Sequence, residues 1–379
     1  MLKNKKRNKK KLRVLIALSL IPGFGCRRVF KLLKKIEDPG EIFALSKRKL
    51  RMIEDIGEAS ALSILSFNNW DEVDEIIRAT EKSGSQIITL ADPEYPSLLK
   101  QIYDPPILFW LKGNYEALSK PGVAVVGTRN TSQYGRNMAK KLTGELADQG
   151  LCIFSGLAYG IDSIAHRTAL DHKAPTVAVL GSGIDNLYPK ENTDLANNIV
   201  KSGGAVITEY PLGTNPDAVN FPVRNRIVSG MSLGVLVVES GIKGGSMITA
   251  DLGLDQNREV FAVPHPLGNP SGTGCNYLIK RGAAKLVQTI DDVLEELPVE
   301  YSTAGDSSSP QETAKPDWRK SELDESAIKI CEALEKKAYQ IDNLSEELGI
   351  DTSRLLVILL NLEMENLVQQ KAGKVFELK

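Results

Sequence analysis

Phe221-Pro222-Val223-Arg224-Asn225-Arg226 places two guanidinium groups on either side of an amide, behind a stiff Phe-Pro pair. Each guanidinium is a planar fork of donors that matches phosphate oxygens two at a time, and an amide bonds a base edge or a phosphate. The chemistry offered is anion capture, not bond making. The alternative is structural: Arg224 and Arg226 pair with carboxylates such as Glu209 or Glu239. Other cations stand near small, flexible turns. Gly127-Thr128-Arg129 follows one apolar run, and Ser155-Gly156-Leu157-Ala158-Tyr159-Gly160 follows a second. Gly181-Ser182-Gly183 precedes Tyr188-Pro189-Lys190-Glu191-Asn192, and Lys243-Gly244-Gly245-Ser246-Met247-Ile248-Thr249 follows a later run. Small residues let backbone amides approach an anion, and a following helix adds its positive end.

Catalytic arrangements are sparse. Asp162 and His166 are four residues apart and share a helix face. They read either as a general acid/base pair or as a helix-capping acid above a packed histidine. Gly181-Ser182-Gly183 lacks the third glycine of a dinucleotide fingerprint, and there is no Walker lysine motif. Cys26, Cys152, Cys275 and Cys331 form no CxxC pair, which argues against a zinc site and for a reducing compartment. No cofactor or metal is expected.

These turns need a scaffold that brings them together. Apolar runs at 123–126, 152–154, 176–180, 205–208, 235–238 and 260–263 alternate with helical stretches. Continuous β-branched runs of this kind predict a parallel sheet covered on both faces, with ligands at the carboxyl ends of its strands. Two further strand-like runs, 87–90 and 107–111, lead in. The expected organisation is a basic tail over 1–13, a helical domain over 14–80 and an α/β domain over 84–298. A polar linker over 299–322 and a small domain over 323–379 complete it. The last pairs a helix-turn-helix pattern at 344–362 with a hairpin wing turning at Gly373, a winged helix. In the helical domain, the turns at 21–25 and 53–57 are similar to helix-hairpin-helix or SAM-like elements, or are plain packing turns. Lys31, Lys34 and Lys35 would add phosphate contacts there.

The chain has 379 residues, 42% hydrophobic and 25% charged, with a net charge of -1, as in ordinary soluble proteins. Basic and acidic residues nearly cancel over 119–298, so nucleic acid would have to be held by a few clustered contacts, weakening steeply with salt. The N-terminus imitates a secretory signal, but its apolar run is short and Pro22 and Gly23 break it. A cytoplasmic protein without membrane contact is expected. Tyr134, Tyr159 and Phe221 are either base-stacking rings or packed ones. In the small C-terminal domain acidic residues outnumber basic ones, so a role in protein contact is expected in place of a phosphate-gripping helix.

Taken in order, Val126–Arg129, Ser155–His166, Tyr188–Asn192, Phe221–Arg226 and Ile248–Ala250 closely resemble the motifs of the DNA-processing protein A family, also called DprA or Smf. The likeness runs over about residues 85–290. It implies an extended Rossmann-like core flanked by the helical and winged-helix domains. It also implies a non-enzymatic, cytoplasmic binder of single-stranded DNA that protects incoming strands in natural transformation. Loading of the RecA recombinase and a homodimer come with that likeness. It places Arg129 on DNA phosphate, with Lys190, Arg224 and Arg226 on the rim of the same pocket. Gly127, Thr128, Ser155, Gly156, Tyr159, Gly183, Asn192, Phe221, Asn225, Gly245, Ser246 and Thr249 complete the expected DNA-binding set. The sequence departs from the family pattern at Thr128, where serine is usual, in the 243–247 loop, where glycine replaces one serine, and at His265, where glycine is usual. The competing expectation is an enzyme similar to lysine-decarboxylase-like nucleotide phosphoribohydrolases. Residues 244–251 approximate their glycine loop, with an aspartate, Asp251, in place of the glutamate.

Overall fold

The structure is a computed structural model. It describes all residues except 1, 37, 299–317, 321, 322, 337, 338, 365, 366, 372–374 and 379. The chain forms two compact units, Met1–Gly305 and Asp306–Lys379. Most of the expected linker, and the expected wing turn at Gly373, lie outside the described residues.

The first unit begins with five helices: α1 (Leu2–Leu20), α2 (Cys26–Lys35), α3 (Lys47–Arg51), α4 (Glu58–Leu65) and α5 (Trp70–Ser83). The expected tail over 1–13 is drawn differently, because α1 runs straight through that boundary. Straight-chain lysines and leucines favour helix, and Val14, Ile16, Ala17 and Leu18 are buried and anchor it. Pro22 and Gly23, the latter at φ 70°, end it.

Nine strands follow: β1 (Gln86–Thr89), β2 (Leu108–Gly113), β3 (Gly122–Gly127), β4 (Cys152–Ser155), β5 (Thr176–Leu180), β6 (Ala205–Thr208), β7 (Gly234–Glu239), β8 (Glu259–Ala262) and β9 (Lys285–Leu286). Between and after them lie α6 (Ser97–Lys100), α7 (Gln133–Asp148), α8 (Ile161–Asp171), α9 (Thr193–Lys201), α10 (Asn220–Gly230), α11 (Gly245–Asp255), α12 (Thr273–Lys280) and α13 (Asp291–Leu294). They make one sheet in the order β1-β2-β6-β5-β4-β3-β7-β8-β9. From β6 to β9 all neighbours are parallel; β2 joins β6, and β1 joins β2, antiparallel.

The strands are buried on both faces, so their side chains sort by alternation. Val123 and Val125 pack with Leu142 and Ala165 under α7 and α8. Ala124 and Val126 pack with Ile227, Met247 and Cys275 under α10, α11 and α12. A third core joins Leu108, Trp110 and Val206 of the sheet to Val14, Leu32 and Ile64 of the N-terminal helices. There the Trp110 indole donates to the Thr80 hydroxyl at 2.9 Å.

The chain builds β3 to β6 toward one edge, then returns to place β7 on the other side of β3. The loops after β3 and β7 therefore part in opposite directions and leave a crevice at their carboxyl ends.

The second unit contains α14 (Glu325–Lys336), β10 (Tyr339–Gln340), α15 (Ile341–Leu348), α16 (Thr352–Met364), β11 (Val368–Lys371) and β12 (Val375–Leu378), with a sheet ordered β10-β12-β11. This is the expected winged helix, closed around its own core of Ile330, Leu344, Leu359 and Phe376.

Candidate nucleic-acid interface

A cavity of about 670 Å³ opens at the carboxyl ends of β3 and β7. Gly127, Thr128 and Arg129 from the β3 loop line it, with Gly156 after β4. Phe221, Arg224 and Asn225 come from α10, and Gly245, Ser246 and Thr249 from the start of α11. The scaffold thus brings ten of the expected residues into one concave surface.

The loops are closely fitted. Thr128 N–H bonds the Glu239 carbonyl at 2.7 Å, and Ile161 N–H bonds the Thr128 carbonyl at 3.2 Å. Gly160 has φ +77°, and a Cβ there would lie 2.3 Å from the Thr128 oxygen, so only glycine fits.

The two arginines of the hexapeptide part company. Residues 220–230 are helical, so positions 224 and 226 lie about 200° apart around the axis. Arg224 turns to the cavity and its Nη1 donates to the Gly156 carbonyl at 2.7 Å. It is 5% exposed, and its buried Nε has no hydrogen-bond partner among the described residues. Burial pulls its pKa down to about 10; Asp162 opposes the shift and Arg129 adds to it. A nearby anion would relieve both penalties.

Arg226 turns the other way, which corrects its expected place on the pocket rim. Its Nη2 meets both Glu209 oxygens at 2.7 Å and its Nε meets Asp104 at 3.0 Å. Burial disfavours its charge, but Glu209 and Asp104 outweigh that and hold its pKa above the ordinary arginine value. The structural alternative therefore applies to Arg226 through Glu209, whereas Arg224 faces Asp162 without an ion pair or hydrogen bond to it among the described residues.

Arg129 is exposed, with its guanidinium 5.6 Å from the centre of the Phe221 ring. Phe221 in turn packs on Tyr188, ring centres 5.9 Å apart. The cavity therefore has a cationic lip above an aromatic wall. Tyr188 is part of that wall although only its neighbours Lys190 and Asn192 were expected to act; its place beside Pro189 in the same motif was the available signal.

Five further expected residues lie outside the cavity. The Ser155 hydroxyl is fully buried and donates to the Val125 carbonyl at 2.7 Å. Asn192 is buried and donates to the Leu157 carbonyl at 2.9 Å, bracing the loop after β4. Gly183 N–H bonds Thr214, in a turn whose crowding excludes a side chain. The Tyr159 hydroxyl donates to Glu191 at 2.5 Å. Lys190 is exposed and lines a separate cavity of about 430 Å³ with Lys112 and Asn197. Tyr134, a stacking ring or a packed one by sequence, is packed: its hydroxyl donates to the Pro264 carbonyl and its ring meets His265 edge-on. His265 is buried, its Nε2 donating to the Val238 carbonyl, so the departure there is absorbed by packing.

Asp162 and His166 bond in different directions, Asp162 to the loop after β4 and His166 to Thr176. The Thr176 hydroxyl donates to the Ile153 carbonyl, so it accepts from His166 Nδ1 at 2.7 Å. Burial pushes the His166 pKa down to about 3. Asp162 accepts from Gly156 N–H and Ala158 N–H, bonding back to the loop in place of capping its own helix. Burial raises its pKa, with Arg224 opposing. Asp251, needed for the enzymatic reading, is exposed, pairs with Arg281 and is absent from the cavity wall. In the N-terminal helices, Lys31 is occupied by Glu54 and Asp55 at 2.8 and 2.5 Å, against the expectation of a free phosphate contact. Among the described residues, no group of three or more metal-ligating side chains is found, and no helix is long and apolar enough to cross a membrane.

Residues 86–298 match the DNA recombination-mediator protein A family, and residues 313–374 match the DprA winged helix domain. DNA processing protein DprA of Bacillus subtilis is 40% identical over 230 residues, 60% of this chain and 77% of that protein. Protein Smf of Escherichia coli is 42% identical over 217 residues, 57% of this chain and 58% of that protein. The structure of DNA processing protein A from Streptococcus pneumoniae superimposes with a TM-score of 0.65 at 34% identity, over 75% of this chain and 96% of that one. DNA processing protein A from Helicobacter pylori, described for its unique single-stranded DNA binding mode, gives 0.51 at 30% identity, over 56% and 98%.

Proposed function

The chain belongs to the DNA recombination-mediator protein A family, and on that premise we propose that it binds single-stranded DNA in the crevice between β3 and β7. The observation that carries this reading is the pairing of a cationic lip, Arg129, with a buried, incompletely satisfied Arg224 above amide-rich turns. Charge-assisted contacts of this kind suit phosphate. Phe221 and Tyr188 suit the flat face of an unpaired base, which a duplex keeps stacked inside. The single-stranded DNA binding described for the Helicobacter pylori relative supports the same choice.

In this reading the protein is a non-enzymatic mediator in the cytoplasm. It covers incoming strands during natural transformation, assembles as a homodimer and hands its strands to RecA. The test is a binding titration of fluorescent single- and double-stranded oligonucleotides at several salt concentrations, with wild type and an Arg129→Ala/Arg224→Ala variant. Preference for single strands, lost in the variant along with much of the salt dependence, is expected. Undiminished binding by a folded variant would place the site elsewhere.

A further inference from the structure

Glu239 is fully buried at the end of β7, next to the cavity and outside its lining. It forms no ion pair with a lysine, arginine or histidine among the described residues. Its Oε2 accepts the Ser132 N–H at 2.9 Å, and its Oε1 accepts the Ser271 hydroxyl at 2.7 Å. Ser132 caps α7, the first helix of the parallel core. A Cβ on Gly135, in the first turn of α7, would lie 1.9 Å from Oε2, so the helix start is shaped around the carboxylate.

That position has a meaning in this architecture. The helix after the first parallel strand, at the switch point, is where sheets of this kind seat a phosphate on free backbone amides. Here a carboxylate of the chain itself takes the Ser132 amide at that helix start, while Ser132 Oγ takes the Gly135 amide. Glu239 also holds the other end of the same loop, because its backbone oxygen accepts the Thr128 N–H at 2.7 Å. One residue therefore clamps Thr128 and Ser132, the two ends of the loop that carries Arg129.

We propose that Glu239 is a built-in occupant of the fold's phosphate seat. It closes that seat to nucleotides and acts as a positioning residue that aims Arg129 at the DNA backbone. The proposal rests on the reading of Arg129 as a phosphate contact. The loop after β3 runs Gly127-Thr128-Arg129-Asn130 with no Gly-x-Gly-x-x-Gly pattern, and a seat filled from inside needs no glycines for an incoming pyrophosphate.

The experiment compares full-length wild type, Glu239→Ala, Glu239→Gln, Arg129→Ala and Glu239→Ala/Arg129→Ala. Each is titrated with a fluorescent oligothymidylate over a range of sodium chloride, and again at equal ionic strength in sodium formate. Loss of one charge-assisted contact is roughly 10- to 150-fold in affinity. Glu239→Ala is expected to lose as much as Arg129→Ala, with the salt slope of both falling by about 0.7. The double variant should be no weaker than Arg129→Ala, since both changes remove the same contact. Formate should restore Glu239→Ala and leave Arg129→Ala unchanged, and it should raise the melting temperature of Glu239→Ala alone. Losses that multiply in the double variant, or wild-type binding by Glu239→Ala, overturn the positioning role. Glu239→Gln, which keeps an oxygen for Ser132, should bind within about twofold of wild type; if Glu239→Ala does not fold, Glu239→Asp, whose shorter side chain draws the carboxylate back from Ser132, takes its place in the cycle. If Arg129→Ala binds like wild type, the DNA reading of Arg129 fails instead. The formate effect on melting still decides whether the seat is an anion site, and its absence refutes that.

Discussion

Arg224 and Arg226 are two residues apart and should fail in opposite ways when truncated. Arg226→Ala removes the guanidinium shared by Glu209 and Asp104, whose side chains are 21% and 37% exposed. Breaking a buried ion pair from one side costs about 3–5 kcal/mol. Water reaches both carboxylates here, so about 2–4 kcal/mol is the fitting range after that discount. In a unit of about 300 residues, with an unfolding entropy of about 2.1 cal/mol/K per residue, that is a drop in melting temperature of roughly 3–6 °C. Affinity for single-stranded DNA, measured where the variant is folded, should change less than about twofold, because nothing on the cavity wall is removed. Arg224→Ala removes a group that burial already disfavours, so its melting temperature should move by less than about 2 °C. Its affinity should fall roughly 10- to 150-fold, the worth of a hydrogen bond to a charged group. Differential scanning fluorimetry beside fluorescence anisotropy separates the two. If Arg226→Ala loses DNA at an unchanged melting temperature, or Arg224→Ala loses stability at unchanged affinity, the division of labour drawn from α10 is wrong.

Phe221→Ala and Tyr188→Ala should each weaken single-stranded binding by about 1–3 kcal/mol while leaving the salt slope in place. An equal loss on an abasic oligonucleotide would show that the wall does not stack bases. Gly156→Ala would place a Cβ 2.5 Å from Arg224 Nη2 and 2.6 Å from Asp162 Oδ2, so anisotropy should report a loss close to that of Arg224→Ala. His166 refuses a proton that the unfolded chain takes up below its ordinary pKa of 6.5. Stability should therefore fall as pH drops from about 6.5 toward 3, by about 1.4 kcal/mol per pH unit. Urea titrations at pH 7.5 and 5.5 should show a smaller difference in His166→Asn, which keeps a donor for Thr176; an identical difference would remove His166 from the account. The second unit, with Leu356, Val357 and Leu360 exposed on α16 and its own core, should show no salt-sensitive DNA affinity when produced as residues 306–379. A gel shift of that fragment that fades with salt would refute this.

The six core strands and the winged helix were legible because apolar period and turn residues are local signals. The cavity was legible for the same reason: its glycine turns follow directly on those strands. What the sequence concealed was direction. Arg224 and Arg226 look equivalent in an extended segment, and only the helical rotation through α10 separates them. Ser155 and Asn192 are of the right type and in the right loops, yet face inward to carbonyls that only the folded loops present. In the sequence Glu239 reads as an ion-pair partner for the arginines, because nothing local shows a carboxylate reaching across to another strand's helix. Helix α1 hid the boundary at 13, since a run of lysines reads as a tail until the apolar residues behind it are seen to be anchored.

The core shared by the N-terminal helices and the sheet limits how this molecule can be cut. Trp110 is fully buried partly by those helices, and its indole nitrogen relies on Thr80 for a partner. A chain started at residue 84 would expose that ring, leave its N–H without Thr80 and uncover an apolar patch beside β6. The N-terminal helices are therefore no detachable module: losing or exchanging them demands repaving that face of β2, β6 and β5 with polar side chains at the same time.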